Sequence, residues 1–147
     1  ALFKYLALML EFPYEWENSF GQDRNALAAV LEKIGDLEEA TGVYAQSLES
    51  SDSNIQLDAL LRTAFIHKRK DNAELALSFW KEAAQMGSVT ALIEMAKYYE
   101  HKIHNPVEAL YCTTEALKLC GADLKLMKEL KHRSKRLARK ISNLINS

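Results

Sequence analysis

Cysteine, proline and glycine are all scarce in this chain, and each scarcity removes a class of protein. Two cysteines in 147 residues, Cys112 and Cys120, lie eight apart with no paired C-x-x-C spacing, which excludes a disulfide scaffold and a zinc knuckle. Free thiols in a cytoplasmic, reducing setting are expected. Two prolines and five glycines are too few for a turn-rich all-β fold. The longest apolar opening, ALFKYLALML, is about half of what a membrane span needs and carries no cleavage-site pattern, so no membrane partner is expected. Catalytic signatures are missing too: there is no G-x-S-x-G elbow, no H-E-x-x-H and no glycine-rich phosphate loop. The segment therefore reads as no enzyme and as needing no cofactor. His101 and His104, with the two cysteines, would be the only metal candidates; their spacing fits exposed turn histidines and buried thiols better.

What the chain does contain is apolar and charged in helical proportion, 48% and 27%. Its net charge of −1 hides a division at Asp123. Residues 123–147 carry eight Lys or Arg against Asp123 and Glu129, a net of +6, which leaves −7 for everything before. An acidic body with a basic end suggests an anionic partner, or self-complementarity.

Internal repetition is the main organising signal. GDLEEATGVYAQSLE (35–49), DNAELALSFWKEAAQMG (71–87) and NPVEALYCTTEALKLCG (105–121) each follow a turn and place small residues seven apart: Ala40 and Ser47, Ala76 and Ala83, Ala109 and Ala116. The anchors Ala40, Ala76 and Ala109 are separated by 36 and 33 residues. A preceding helix is expected in each unit, over 23–34, 55–69 and 89–102, with Ala28, Ala64 and Ala96 as its small positions. One hairpin cannot bury both apolar faces, so hairpins stack, and a small residue at each crossing lets the backbones approach. The expected arrangement is all-α, a single domain over 1–147 with hairpin repeats at 21–54, 57–89 and 90–122. Residues 2–12 should form an apolar helix stopped by Pro13, with YEWENSF (14–20) folding back as a cap. Asp123 should cap a closing helix over 123–146 whose Leu124, Met127, Leu130, Leu137, Ile141 and Leu144 pack on the last hairpin. A start without Met, inside a helical pattern, reads as part of a longer protein.

These small-residue hairpins, and helices such as ALSFWKEAAQMG and ALYCTTEALKL, resemble the tetratricopeptide repeat over about 21–123. Ser47 stands where the family has Ala, and His67 where it has an aromatic. The turn HKIHNP has an extra residue, which also brings the third unit near the related Sel1-like repeats. The resemblance implies a right-handed α-solenoid with terminal capping helices, used as a binding scaffold. A narrower resemblance is carried by LFKYLALML, ALAAVLEKIGDLEEATGVYAQSLE, AKYYEHKIHNPVEALYCTTEAL and the closing ELKHRSKRLARKI, most distinctively by His132, Arg133, Arg136 and Leu137: the order is similar to the C-terminal repeat region of bacterial proteins bearing a ribonuclease-H-like, DEDD-type 3′ to 5′ exonuclease domain. That resemblance implies that any metal-dependent nuclease activity belongs to a domain outside these residues, which would be an accessory module.

Two binding functions are compatible with this. The stretch KHRSKRLARK (131–140) suggests nucleic-acid contact through Lys128, Lys131, Arg133, Lys135, Arg136, Arg139 and Lys140, because clustered cations release counterions together. The plain alternative is the wet outer face of a terminal cap, since no aromatics are interleaved for base stacking. The tetratricopeptide resemblance instead implies a concave groove that takes a protein or peptide partner, lined by Gln22, Asn25, Glu32 and Lys33, by Asp58, Leu61, Phe65, Lys68 and Arg69, and by Ile93, Lys97, Glu100 and His101. Phe65, Lys68, Arg69, Lys97 and His101 are its candidate binding residues. The Asn and Lys pattern that this family uses to clamp a C-terminal carboxylate is not reproduced. A monomer or weak dimer is expected, since solenoid ends can stack.

Overall fold

The computed structural model describes Gly21 to Ser147, with side chains from Asp23 onward. The expected helix at 2–12, the Pro13 stop, the cap at 14–20 and the side chain of Gln22 lie outside the described residues. Seven helices follow: α1 (Gly21–Ile34), α2 (Leu37–Leu48), α3 (Ser53–Arg69), α4 (Ala73–Gln85), α5 (Val89–His101), α6 (Pro106–Leu119) and α7 (Leu124–Ile145). Among the described residues there is no strand. The fold class is all-α.

Short polar side chains set the helix starts. Asp36, Asp52, Asn72, Ser88, Asn105 and Asp123 each accept from a backbone N–H of the first turn of α2 to α7, satisfying donors that the helix cannot pair itself. Pro106 occupies the first turn of α6, where its missing N–H costs nothing. The reversals after α1, α4 and α6 use Gly35, Gly87 and Gly121 at φ +87°, +86° and +60°, a conformation in which a Cβ would be strained. Asp71 (φ +56°) and His104 (φ +55°) do the same work after α3 and α5 without being glycine.

The small-residue anchors lie in the interior. Ala28, Ala40, Ser47, Ala64, Ala76, Ala83, Ala96, Ala109 and Ala116 are all fully buried. Any larger side chain there would force neighbouring helices apart.

The chain falls into two compact units, one ending at Lys70 and the other running from Asp71 to Ser147, a division inside the 57–89 repeat expected from sequence. Each has its own core. In the first, α1, α2 and α3 close around Leu27, Leu31, Val43, Tyr44, Ala59 and Ile66. In the second, α5, α6 and α7 meet at Leu92, Ala116 and Leu130, flanked by Ala84, Val89, Ile93 and Leu117.

The closing helix α7 runs for 22 residues and packs on α6. Leu130 and Leu137 are buried in that contact, and Met127 and Ile141 are half-buried beside them. The apolar face is shorter than periodicity predicts: Leu124 and Leu144 stand 78% and 65% exposed. Leu137→Ala should therefore cost ~2–5 kcal/mol in urea unfolding, and Leu124→Ala about 0.5 kcal/mol or less. Equal losses would mean that the seam has been drawn in the wrong place.

Candidate functional site

In unit two, one buried carboxylate gathers three cations. Glu100, in the last turn of α5, has a side chain only 1% exposed, and α7 supplies its partners. Arg133 Nη1 donates to Glu100 Oε2 at 2.9 Å. Arg136 bridges both oxygens, with Nε at 3.2 Å and Nη2 at 3.0 Å from Oε1 and Nη2 at 2.8 Å from Oε2. Lys140 Nζ donates to Oε1 at 2.7 Å. His101 Nε2 lies 3.7 Å from Oε2 on the solvent side. Burial alone would push the Glu100 carboxyl up; hydrogen bonds from Lys140 and Arg136, with their charges, outweigh it and bring its pKa from 4.5 down to about 2. The two oxygens are saturated, and the cluster keeps a surplus of two positive charges.

The three cations reach this carboxylate because of helical spacing. At about 100° per residue, Arg133, Arg136 and Lys140 share an arc of roughly 60° on the flank of the buried Leu130 and Leu137. Their exposure grows outward along that flank, 19% for Arg133, 37% for Arg136 and 48% for Lys140. Sequence alone groups all seven basic residues together. The structure separates them: Lys128, Lys131, Lys135 and Arg139 are exposed, form no ion pair among the described residues, and share an arc of about 80° on the side away from the core. At 1.5 Å per residue this stripe is about 16 Å long. It borders a recess of ≈ 420 Å³ lined by Leu124, Met127, Lys128, Lys131, His132 and Lys135.

The groove candidates are distributed between the two units. In the first, Lys68 Nζ sits 6.0 Å from the centroid of the half-buried Phe65 ring. Arg69 is 52% exposed but already paired: its Nη2 donates to Glu32 Oε2, and Glu32 Oε1 accepts from the buried Tyr44 hydroxyl at 2.9 Å. Burial and then that hydrogen bond push the Tyr44 hydroxyl pKa far up, so it stays a donor. In the second unit, Lys97 pairs with the buried Glu94, and His101 is exposed beside Glu100. Glu100, placed by sequence among the groove-lining residues, is buried instead.

Sequence reasoning overlooked this use of acids. Glu32 of α1 and Arg69 of α3 are 37 residues apart, while Glu100 of α5 and Arg136 of α7 are 36 apart. Each pair fastens alternate helices near the repeat period, and that spacing was the available signal. Another recess, ≈ 300 Å³, lies between α1 and α3, lined by Asn25, Ala29, Asn54, Ile55, Asp58 and Arg62 among others. Asn25 Nδ2 crosses it to Ile55 O at 3.1 Å and Asp58 Oδ2 at 2.9 Å. Cys112 is buried, and burial pushes its thiol up to about 11, which removes it as a nucleophile near neutral pH.

No family model, no curated protein and no solved structure matches this chain. No described helix is long and apolar enough to cross a membrane.

The Glu100 cluster makes a pH prediction. Its folded pKa lies below the ordinary value, so its stabilisation is present above about 4.5 and is lost as pH falls toward 2. Glu100→Gln should lower stability at pH 7 by ~2–3 kcal/mol and flatten the acid limb of the stability profile. Lys140→Ala, which leaves both arginines on the carboxylate, should cost under ~1 kcal/mol. An unchanged acid limb in Glu100→Gln would show that another carboxylate carries that dependence.

Proposed function

We propose that this chain is a non-catalytic interaction module of tetratricopeptide-like hairpins that binds nucleic acid along the exposed stripe of α7. One observation carries the reading: Lys128, Lys131, Lys135 and Arg139 stay outside the Glu100 cluster, without ion pairs among the described residues, in a row about 16 Å long. Structural needs account for Arg133, Arg136 and Lys140. They do not account for four further cations on one arc. A line of cations 4.5–6 Å apart by helical rise can follow a run of phosphates and release their counterions together. The likeness of HRSKRL to the repeat region of exonuclease-bearing proteins favours nucleic acid over other polyanions. In this reading Arg133, Arg136 and Leu137 of that stretch hold α7 in place, and the neighbouring residues make the contact. The hairpins form a right-handed solenoid that presents the helix, and chemistry on the nucleic acid belongs to a domain outside these residues.

Fluorescence anisotropy with labelled single- and double-stranded oligonucleotides across a salt series tests this. Four phosphate contacts predict a slope of log K against log salt of about −3 to −4 on duplex. Replacing Lys128, Lys131, Lys135 and Arg139 with Ala should abolish most of that slope and leave the melting temperature within a few degrees. Lys81→Ala, an exposed cation on α4, should change neither. Absence of binding at low salt would sink the proposal.

A second reading is favoured by the recess between α1 and α3, where Asn54, Asp58 and Arg62 offer polar groups above the apolar Ala29 and Ile55. That surface suits an extended peptide. Screened on a random peptide array, Arg62→Ala and Ile55→Ser should each lose the spots that the wild type binds while keeping oligonucleotide affinity. Identical arrays for wild type and variants would remove the peptide reading.

A further inference from the structure

The Glu100 cluster has an outer side that neither reading uses. A recess of ≈ 340 Å³ opens where the end of α5, the turn before α6 and the C-terminal half of α7 converge, and it is lined by Glu100, His104, Pro106, Lys140, Asn143 and Leu144 among others. Its volume is at the low end of the ~300–1,000 Å³ range of small-molecule sites. Glu100 is the only acidic side chain lining it among the described residues, with Ser147 completing the lining, and its carboxylate is already saturated by Arg133, Arg136 and Lys140. The local field therefore carries a surplus of two positive charges, held within a few ångströms by a buried group that cannot move away. A second cation would be repelled here. An anion would be attracted.

The donors are on hand. Lys140 spends one hydrogen bond on Glu100 Oε1 and has two further ammonium protons. The Asn143 carboxamide and the His104 ring donate to no described residue. His104 lines the recess from the turn, its own backbone in the left-handed region at φ +55°. The helix start at Pro106 adds no free N–H, because Asn105 Oδ1 already accepts from Val107 and Glu108. The binding groups are thus side chains converging from two elements on a prearranged positive centre.

We propose that this recess is a binding site for a phosphate monoester dianion on a small molecule. Its two negative charges match the surplus, its three terminal oxygens can accept from Lys140, Asn143 and His104 at once, and Leu144 and Pro106 provide an apolar wall for the substituent. The site is separate from the exposed stripe of α7, so the two proposals stand or fall independently.

The test is a titration of isotopically labelled protein, followed by NMR, with inorganic phosphate and with phenyl phosphate at constant ionic strength against chloride. Both ligands should give saturable shifts concentrated at His104, Lys140 and Asn143, with phenyl phosphate the tighter. Asn143→Ala and His104→Gly, the latter free of strain at positive φ, should each weaken binding roughly fivefold. Neither should change the melting temperature in chloride by more than a few degrees. Shifts that rise linearly without saturating, shifts that centre on Lys128, Lys131 and Lys135, or undiminished affinity in both variants would each overturn the proposal. Binding of inorganic phosphate without phenyl phosphate would overturn the assignment to a monoester.

Discussion

One deeply buried carboxylate, that of Glu100, ties α7 to α5 in the second unit. Glu100 lies under α7 with its side chain 1% exposed, and isolated in that position it would have to be protonated or would open the fold. Three cations from one helix keep it ionised, with a pKa of about 2, despite a burial that works in the opposite direction. The geometry restricts α7 closely, because Arg136 must present its planar fork to both oxygens while Arg133 and Lys140 arrive from the turns on either side. Hydrophobic contact at Leu130 and Leu137 supplies attraction but little register. The ion cluster supplies register.

The same device appears in smaller form in the first unit, where Glu32 of α1 joins the buried Tyr44 hydroxyl and Arg69 of α3. Both acids lie in the last turn or two of their helix, and both partners come from the helix two places later. Small residues at the crossings allow helices to approach closely; these polar staples then select one sliding position from the several that a smooth Ala-lined seam would tolerate. Packing and electrostatics thus divide the task, the first setting distance and the second setting alignment. The division also shapes what remains for binding, since a cation drawn into a staple spends hydrogen bonds on its carboxylate even where, as at Lys140 and Arg69, about half of it stays exposed.

Much of the fold was legible in the sequence for local reasons. Small residues at seven-residue spacing marked the crossings, and all nine named anchors are buried. Asp123 marked the start of the closing helix and does cap α7. The candidate site was legible only as a composition. KHRSKRLARK announces charge, but nothing in it shows that Arg133, Arg136 and Lys140 answer to Glu100, a residue 33 to 40 positions earlier. Helical phase could have sorted the seven cations into two arcs. It could not have revealed which arc meets a carboxylate. Of the residues read as groove-lining, Glu100 is buried under α7, and Arg69 pairs with Glu32 while staying half-exposed, for a related reason: their partners lie on helices far along the chain.

What the sequence determined by itself is the set of helices, their caps, their close-packed seams and the asymmetry of charge, because each depends on residues within a few turns of one another. The tertiary structure decided which charges are structural and which face water. That choice depends on partners brought together from distant positions, and on burial, which changes the strength of an ion pair far more than its sequence context does. Only with the helices assembled does Glu100 become a buried anion, three cations become its counterions, and the remaining four become a surface.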